Sequence, residues 1–480
     1  MNRSIRNGAI FSLILILALL INQTWIQGGF KEQEYAQNSL NNRATYMMRE
    51  TERGQINAGG QILAESTPDE NGIYSRNYPT MPVSFSSVLG YASGTYGTAG
   101  LEQGYNDVLN GDSTSFLNNR AFDTGQHRQG DSIDLTLDPN TQATAYEMLS
   151  NNGYEGAVVA MRPSTGALLA MASTPSYDPN AIVNPETADA AWSEVNNDPG
   201  QPLLNHAAQE QLPPGSIFKI ITTAAGLESG FTPDSQLTGA ASITLPDTVT
   251  ELTNYGNNAC AGSGGGQVSL QTAFAYSCNT AFVEMSTEIG TDGLRDMATA
   301  FGVGESYDLG LPTAAGSLGE LPDLAATAQS SIGQRDVTMT ALQAAVMAST
   351  VANDGLRMEP YVVDRVLGPE LQVRSETSPT EVTQAVSPEQ AGTLTELMYA
   401  SERNTSGYDG NSFASKTGTA EHGEDVPPHV WYVAFDPAKD VAVAVVVKDG
   451  GGFGSSATGG QVSSPIGRAV LRVAPAGGSE

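Results

Sequence analysis

The sequence predicts an α+β protein. One mixed domain, an antiparallel sheet flanked by helices, follows an irregular α+β segment and an apolar N-terminal helix. Three observations predict it. Apolar hairpins stand towards both ends of residues 151–474, one around Pro163-Ser164-Thr165-Gly166 and one around Asp436-Pro437-Ala438-Lys439-Asp440. Helical patterns fall mostly between them, and strands towards both ends with helices between read as one mixed domain. The span Asn7–Gly29 carries no charged residue.

In chain order, Arg3 and Arg6 precede that span, which is long enough to cross a bilayer with the arginines inside and Trp25 at the far interface. No small-x-small cleavage site follows Leu20, so residues 1–29 read as a short tail with an uncleaved anchor, and the rest of the chain is expected outside the cytoplasm. Residues 30–56 read as a polar stalk. Gly60-Gln61-Ile62-Leu63-Ala64 reads as a turn entering a short strand. From Tyr74 to Gly130 the pattern is irregular, with a short helix at Gly100-Leu101-Glu102. Asp131 to Leu137 alternates as a half-buried strand does, and Pro139 opens a helix that runs to Ser150.

Residues 30–150 are therefore expected as one domain, 151–474 as a second and 475–480 as a loose tail. In the second, Ala157–Met161 pairs with Ala167–Ala172, and Val430–Phe435 with Val441–Val447. Helices are expected over Pro214–Leu227, Leu270–Gly290, Thr338–Ala352, Pro388–Tyr399 and Pro465–Val473.

Composition narrows the function. The 480 residues carry 52 acidic against 22 basic side chains, a net charge of −30, which argues against nucleic acid as a partner because phosphate binding requires basic patches. His127, His206, His422 and His429 are scattered and no Cys/His set has zinc spacing, so no metal is expected. Cys260 and Cys278 lie 18 residues apart. In the cytosol they would be unrelated buried thiols; in an oxidising compartment a bridge would tether Gly262–Gly266 beside Ser277.

The chemistry is carried by three short stretches. Pro213-Pro214-Gly215-Ser216-Ile217-Phe218-Lys219 places a serine and a lysine three apart. With Gly215 as helix cap, both side chains fall on one helix face, one turn apart. A serine hydroxyl needs something to take its proton, and a lysine in a dry cleft can be that base. Ser277-Cys278-Asn279 offers a second hydroxyl and an amide that could bridge the lysine and hold a substrate amide. Lys416-Thr417-Gly418-Thr419 opens a strand with a cation, hydroxyls for a carboxylate, and a residue whose missing side chain lets a substrate lie against the edge.

The set Ser-x-x-Lys, Ser-x-Asn, Lys-Thr-Gly, in this order, resembles the active-site motifs of penicillin-binding proteins and serine β-lactamases. Over nearly the whole chain the sequence resembles a class B penicillin-binding protein, most of all the penicillin-binding protein A type of actinobacteria. Arg53-Gly54-x-Ile56, Gly60-x-Ile62-Leu63-Ala64, Gly100-Leu101-Glu102, Gly156–Met161 and Ala352-Asn353-x-Gly355 carry the rest of the likeness. The chain departs from it at Asn57-Ala58-Gly59-Gly60, where the family usually has Asp-Arg-Asn-Gly.

The resemblance implies a penicillin-binding/serine β-lactamase-like transpeptidase domain on a pedestal domain. It implies a D,D-transpeptidase that cross-links peptidoglycan stem peptides and is trapped by β-lactams. In that reading Ser216 is the nucleophile, Lys219 its base and Ser277 the proton relay to the leaving amine. Asn279 holds the substrate backbone, Lys416 keeps the cleft positive, Thr417 and Thr419 receive the terminal carboxylate, and Gly418 lets the substrate lie against the strand. No metal or organic cofactor is needed; the expected partners are stem peptides, β-lactams, the membrane and other wall-synthesis or division proteins. Two other readings compete: a β-lactamase or D,D-carboxypeptidase that passes the acyl group to water, and a non-catalytic β-lactam-binding scaffold.

Overall fold

The computed structural model describes residues 3–25, 49–111, 128–421, 423 and 426–478. Most of the expected stalk, together with His127 and His422, lies outside the described residues. The chain opens with α1 (Arg3–Trp25), a 23-residue helix of mean hydropathy 2.1, long and apolar enough to cross a membrane. Next come β1 (Ile56–Ala58), β2 (Gln61–Pro68) and β3 (Tyr74–Asn77), then α2 (Pro82–Leu89), α3 (Gly100–Gly104) and β4 (Ser132–Leu135). The helix expected after Pro139 is α4 (Pro139–Ser150), capped by the Asp138 carboxylate, which accepts from the Thr141 N–H.

Beyond it, β5 (Gly156–Met161) and β6 (Leu168–Thr174) form the first apolar hairpin. A 3-10 turn at Gly215–Phe218 leads into α5 (Lys219–Glu228). Helices α6 (Leu270–Ala275), α7 (Asn279–Ala300) and α8 (Ala341–Ala352) follow, then strands β7 (Val363–Leu367) and β8 (Val373–Glu376), then α9 (Pro388–Arg403). Strands β9 (Ala414–Ala420), β10 (His429–Asp436) and β11 (Val441–Val447), with α10 (Gly459–Val473), close the chain.

The central sheet has five strands in the order β6-β5-β11-β10-β9, every pair antiparallel. Both faces are covered, which is why β11 reads Val-Ala-Val-Ala-Val-Val-Val without a polar residue. Ala157, Val159 and Met161 of β5 point into the larger core with α8, while Val158 and Ala160 point to the other side, with α4 and α10. Among the described residues strand β9 pairs only with β10, at the edge of the sheet.

A second sheet runs β8-β7-β4-β1-β2-β3 and joins residues far apart in sequence: Val363 to Leu367 pair antiparallel with β4. Local pattern does not mark residues 363–376 as strands, because four of the five interfaces of this sheet involve strands from the N-terminal part of the chain and β8 is exposed along its length.

Two helix expectations and that of a loose tail change in detail. Leu270–Gly290 is broken at Tyr276–Cys278, because Ser277 takes a positive φ of 59° that no helix continues through. The last helix begins at Gly459 and carries Pro465 inside it, held where burial of Val462 and Ser463 against β10 outweighs the missing N–H. Residues 475–478 are tied down: the Gly477 N–H donates to the Lys439 carbonyl at 2.8 Å.

Candidate active site

The nucleophile candidate sits on a turn shaped by two glycines. Gly215 was expected as a helix cap; it lies instead inside the 3-10 turn with φ +53°. A Cβ there would stand 2.7 Å from the Thr419 carbonyl oxygen, and one on Gly418 would stand 2.7 Å from the Pro214 carbonyl oxygen. The Ser216 turn and the Lys-Thr-Gly strand therefore meet backbone to backbone, a contact that any side chain at either position would push apart. The turn is pinned from two further directions. Gly215 N–H donates to the Gly333 carbonyl at 2.9 Å, and the Trp431 indole Nε1–H donates to the Pro213 carbonyl at 2.9 Å. Ser216 itself is half-buried and Lys219 wholly buried, one turn further on.

Lys219 reaches the second motif. Its Nζ donates to the Ser277 carbonyl at 2.7 Å, to Asn279 Oδ1 at 2.8 Å and to Ser277 Oγ at 3.3 Å. From the other side Lys416 Nζ donates to Ser277 Oγ at 2.9 Å and to the Thr417 carbonyl at 2.9 Å. Ser277 is thus the meeting point of two lysine side chains, held in a left-handed conformation that few non-glycine residues adopt. The turn that holds it is fixed by Cys278, whose sulfur is bonded to Cys260. Asn279 opens α7, and its Nδ2 donates to the Thr253 carbonyl at 2.9 Å.

Electrostatics follow from this dryness. Burial pushes Lys219 well below the ordinary lysine range, and the neighbouring Lys416 charge pushes it further. Burial alone pushes Lys416 down to about 7. Two aromatic rings lie under the pair: Lys219 Nζ is 5.2 Å from the Phe282 centroid and Lys416 Nζ 5.8 Å from that of Phe274. Among the described residues neither lysine has a carboxylate partner.

The geometry brings together Ser216, Lys219, Ser277, Asn279, Lys416, Thr417, Gly418 and Thr419, the full candidate set. Sequence reading missed the supports Thr253, Phe274 and Phe282 and the hydrogen bond from the Trp431 indole. The two phenylalanines flank Ser277 on an apolar helical pattern and were legible as core; nothing local marks Thr253. Tyr432 and Trp431, expected as sheet packing, are buried in the sheet. His206 contacts Glu210 at 2.7 Å, and His429, opposite Ala420 in the sheet, accepts from the Asp449 N–H at 3.2 Å.

Comparison with known proteins decides the family. Residues 156–472 match the penicillin binding protein transpeptidase domain, and residues 53–133 the penicillin binding protein A dimerisation domain. The chain belongs to the class B penicillin-binding proteins, in the penicillin-binding protein A type. It is 45% identical to the peptidoglycan D,D-transpeptidase PbpA of Mycolicibacterium smegmatis, covering 100% of both chains. Against the protein of the same name from Mycobacterium tuberculosis the identity is 42%, over 99% of each. The solved ceftriaxone acyl-enzyme complex of M. tuberculosis penicillin-binding protein A superposes with a TM-score of 0.84 at 43% identity, over 88% of this chain and 98% of that one. The penicillin G acyl-enzyme complex gives 0.82, at 43% identity over 88% and 99%.

Proposed function

We propose that this class B penicillin-binding protein is a peptidoglycan D,D-transpeptidase acting through an acyl-enzyme on Ser216. The observation that carries the reading is the pair of buried, carboxylate-free lysines that converge on Ser277 behind the Ser216 turn. A lysine kept neutral by burial can take the Ser216 proton as the hydroxyl attacks the carbonyl between the terminal D-alanines. With that proton on Lys219, Ser277 Oγ accepts from both lysine side chains, which uses its two lone pairs; its own proton passes to the departing amine and is replaced by the one that Lys219 carries. The amine of a second stem peptide then takes the acyl group, regenerating Ser216 and forming the cross-link.

Asn279 Oδ1 holds Lys219, and the second N–H of its amide serves the substrate backbone. The open edge of β9, smooth at Gly418, suits an extended peptide laid along it as a further strand. Thr417 and Thr419 receive the terminal carboxylate, with the positive cleft around Lys416 favouring it. The N–H groups of Ser216 and Thr419 form the oxyanion hole, worth about 3 kcal/mol per donor. Helix α1 anchors the enzyme in the plasma membrane with the catalytic part outside, where its partners are the wall polymer and other wall-building or division proteins. Residues 30–150 serve as the pedestal and 151–474 as the catalytic domain, although strand β7 of the latter completes the sheet of the former.

Intact mass after mixing the detergent-solubilised full chain with benzylpenicillin, beside Ser216→Ala, tests this. A stable adduct absent from the variant is the expected result. An adduct that forms and disappears within seconds would make the enzyme a hydrolase, and no adduct on folded protein would leave only a scaffold.

A further inference from the structure

Two of the three motifs are joined behind the cleft by a single helix end. Ser415 precedes Lys416 on β9, and its side chain points away from the cleft, into the protein. There the hydroxyl donates to Glu402 Oε2 in the last turn of α9. Two residues on, Asn404 Nδ2 donates at 3.0 Å to the carbonyl of Ala275, the last residue of α6 and two before Ser277. The same helix end therefore holds the strand that carries Lys416 and the turn that carries Ser277, whose side chains meet across the cleft at 2.9 Å.

Glu402 is built as a fixed post. It is 1% exposed, and its two oxygens accept from Arg468 Nε at 2.8 Å, Asn411 Nδ2 at 3.0 Å and Tyr432 OH at 3.0 Å besides Ser415. A buried carboxylate with every lone-pair direction filled has one position available to it, whereas an apolar core of the same volume would tolerate small shifts. Strand β9 needs such a post. Among the described residues it hydrogen-bonds to one neighbouring strand only, so a ladder on one side alone fixes its position in the sheet.

We infer that Glu402, acting through Ser415, and Asn404 are positioning residues that set the separation of Lys416 from Ser277, and with it the rate of proton transfer in acylation. This rests on the acyl-enzyme reading above. Misplacement of a proton-transfer pair by a fraction of an ångström slows the chemical step while leaving the substrate's contacts intact.

The test separates the chemical rate constant k2 from the binding constant K in stopped-flow acylation of the full-length enzyme. Ser415→Ala removes the link and leaves the Glu402–Arg468 pair whole; Asn404→Ala changes an exposed side chain and so spares the core. We expect k2 to fall about tenfold in Ser415→Ala and about threefold in Asn404→Ala, with K within about twofold of the parent in both. Because both open the same gap, the double variant should fall short of the product of the two losses. An unchanged k2 in folded Asn404→Ala together with an unchanged k2 in Ser415→Ala overturns the inference. So does a loss that appears in K alone, or losses that multiply independently. Ser216→Ala, run beside them, judges the acyl-enzyme reading separately: acylation surviving there would remove that reading whatever the positioning variants do.

Discussion

Two clusters of buried charge, one in the N-terminal sheet region and one in the cleft, are built on opposite plans. In the first, Glu102 accepts from Arg53 Nε at 2.6 Å and Arg76 Nε at 2.6 Å, and all three are nearly or wholly buried. Burial would raise the Glu102 carboxyl, but the two guanidinium groups and their hydrogen bonds more than offset it, holding it below the ordinary range. Arg53 Nη1 donates to Asn106 Oδ1 at 2.9 Å and Asn110 Oδ1 at 2.8 Å, and Nη2 to the Glu102 carbonyl. In the cleft, Lys219 and Lys416 are just as buried and receive no carboxylate. Compensated charge builds rigid structure; uncompensated charge of one sign stores reactivity, because one lysine is left neutral and basic.

The largest test of that contrast is Lys219→Met. Loss of the base should slow acylation by about a thousandfold or more while the Tm at pH 7 holds or rises, since a buried polar amine with no carboxylate partner among the described residues gives way to an apolar side chain. A large fall in Tm would place Lys219 with the structural charges instead. Glu102→Ala should show the reverse. It strands two buried guanidinium groups, which costs about 3–5 kcal/mol, read as a lower Tm or denaturation midpoint. The acylation rate of the remaining folded enzyme should be unaltered, and a rate that fell with stability intact would break the contrast.

The smallest effect is in pH. The folded protein holds Lys416 at about 7 against an ordinary 10.5, so between these values the unfolded chain binds more protons. Stability from this group is therefore fully present above about 10.5, declines as pH falls, and is lost below about 7, by at most about 1.4 kcal/mol per pH unit. Thermal unfolding at pH 7 and pH 9.5 should show the parent gaining stability relative to Lys416→Met as pH rises. A gap that does not move with pH would mean that Lys416 stays charged throughout.

Much of the architecture was legible in the sequence. The hairpins at 157–172 and 430–447, the β9 strand and the helices after Pro139 and Pro388 follow from local signals, namely alternation or unbroken apolar runs between turn residues, and helix caps. The motif residues were legible for the same reason: Ser216, Lys219, Ser277, Asn279 and Lys416-Thr417-Gly418-Thr419 are chemically distinctive at fixed short spacings. Strands β7 and β8 were not, because β8 is exposed throughout and β7 takes its place from β4, more than two hundred residues earlier in the chain. Nor was the break at Ser277, where an apolar helical pattern runs on through a residue that the fold turns to φ 59°.

The sequence by itself determined which groups were available and which of them lie one helical turn or one strand residue apart. The tertiary structure decided their environment. It joined Cys260 to Cys278, set Gly215 against Thr419, and brought Lys219 and Lys416 onto one hydroxyl. The physical reason is that a lysine's basicity is set by what surrounds it. Phe274 and Phe282 supply that surrounding, and the residues that hold the motifs around it, Thr253, Gly333 and Glu402, are gathered from separate helices and loops with no common local signature.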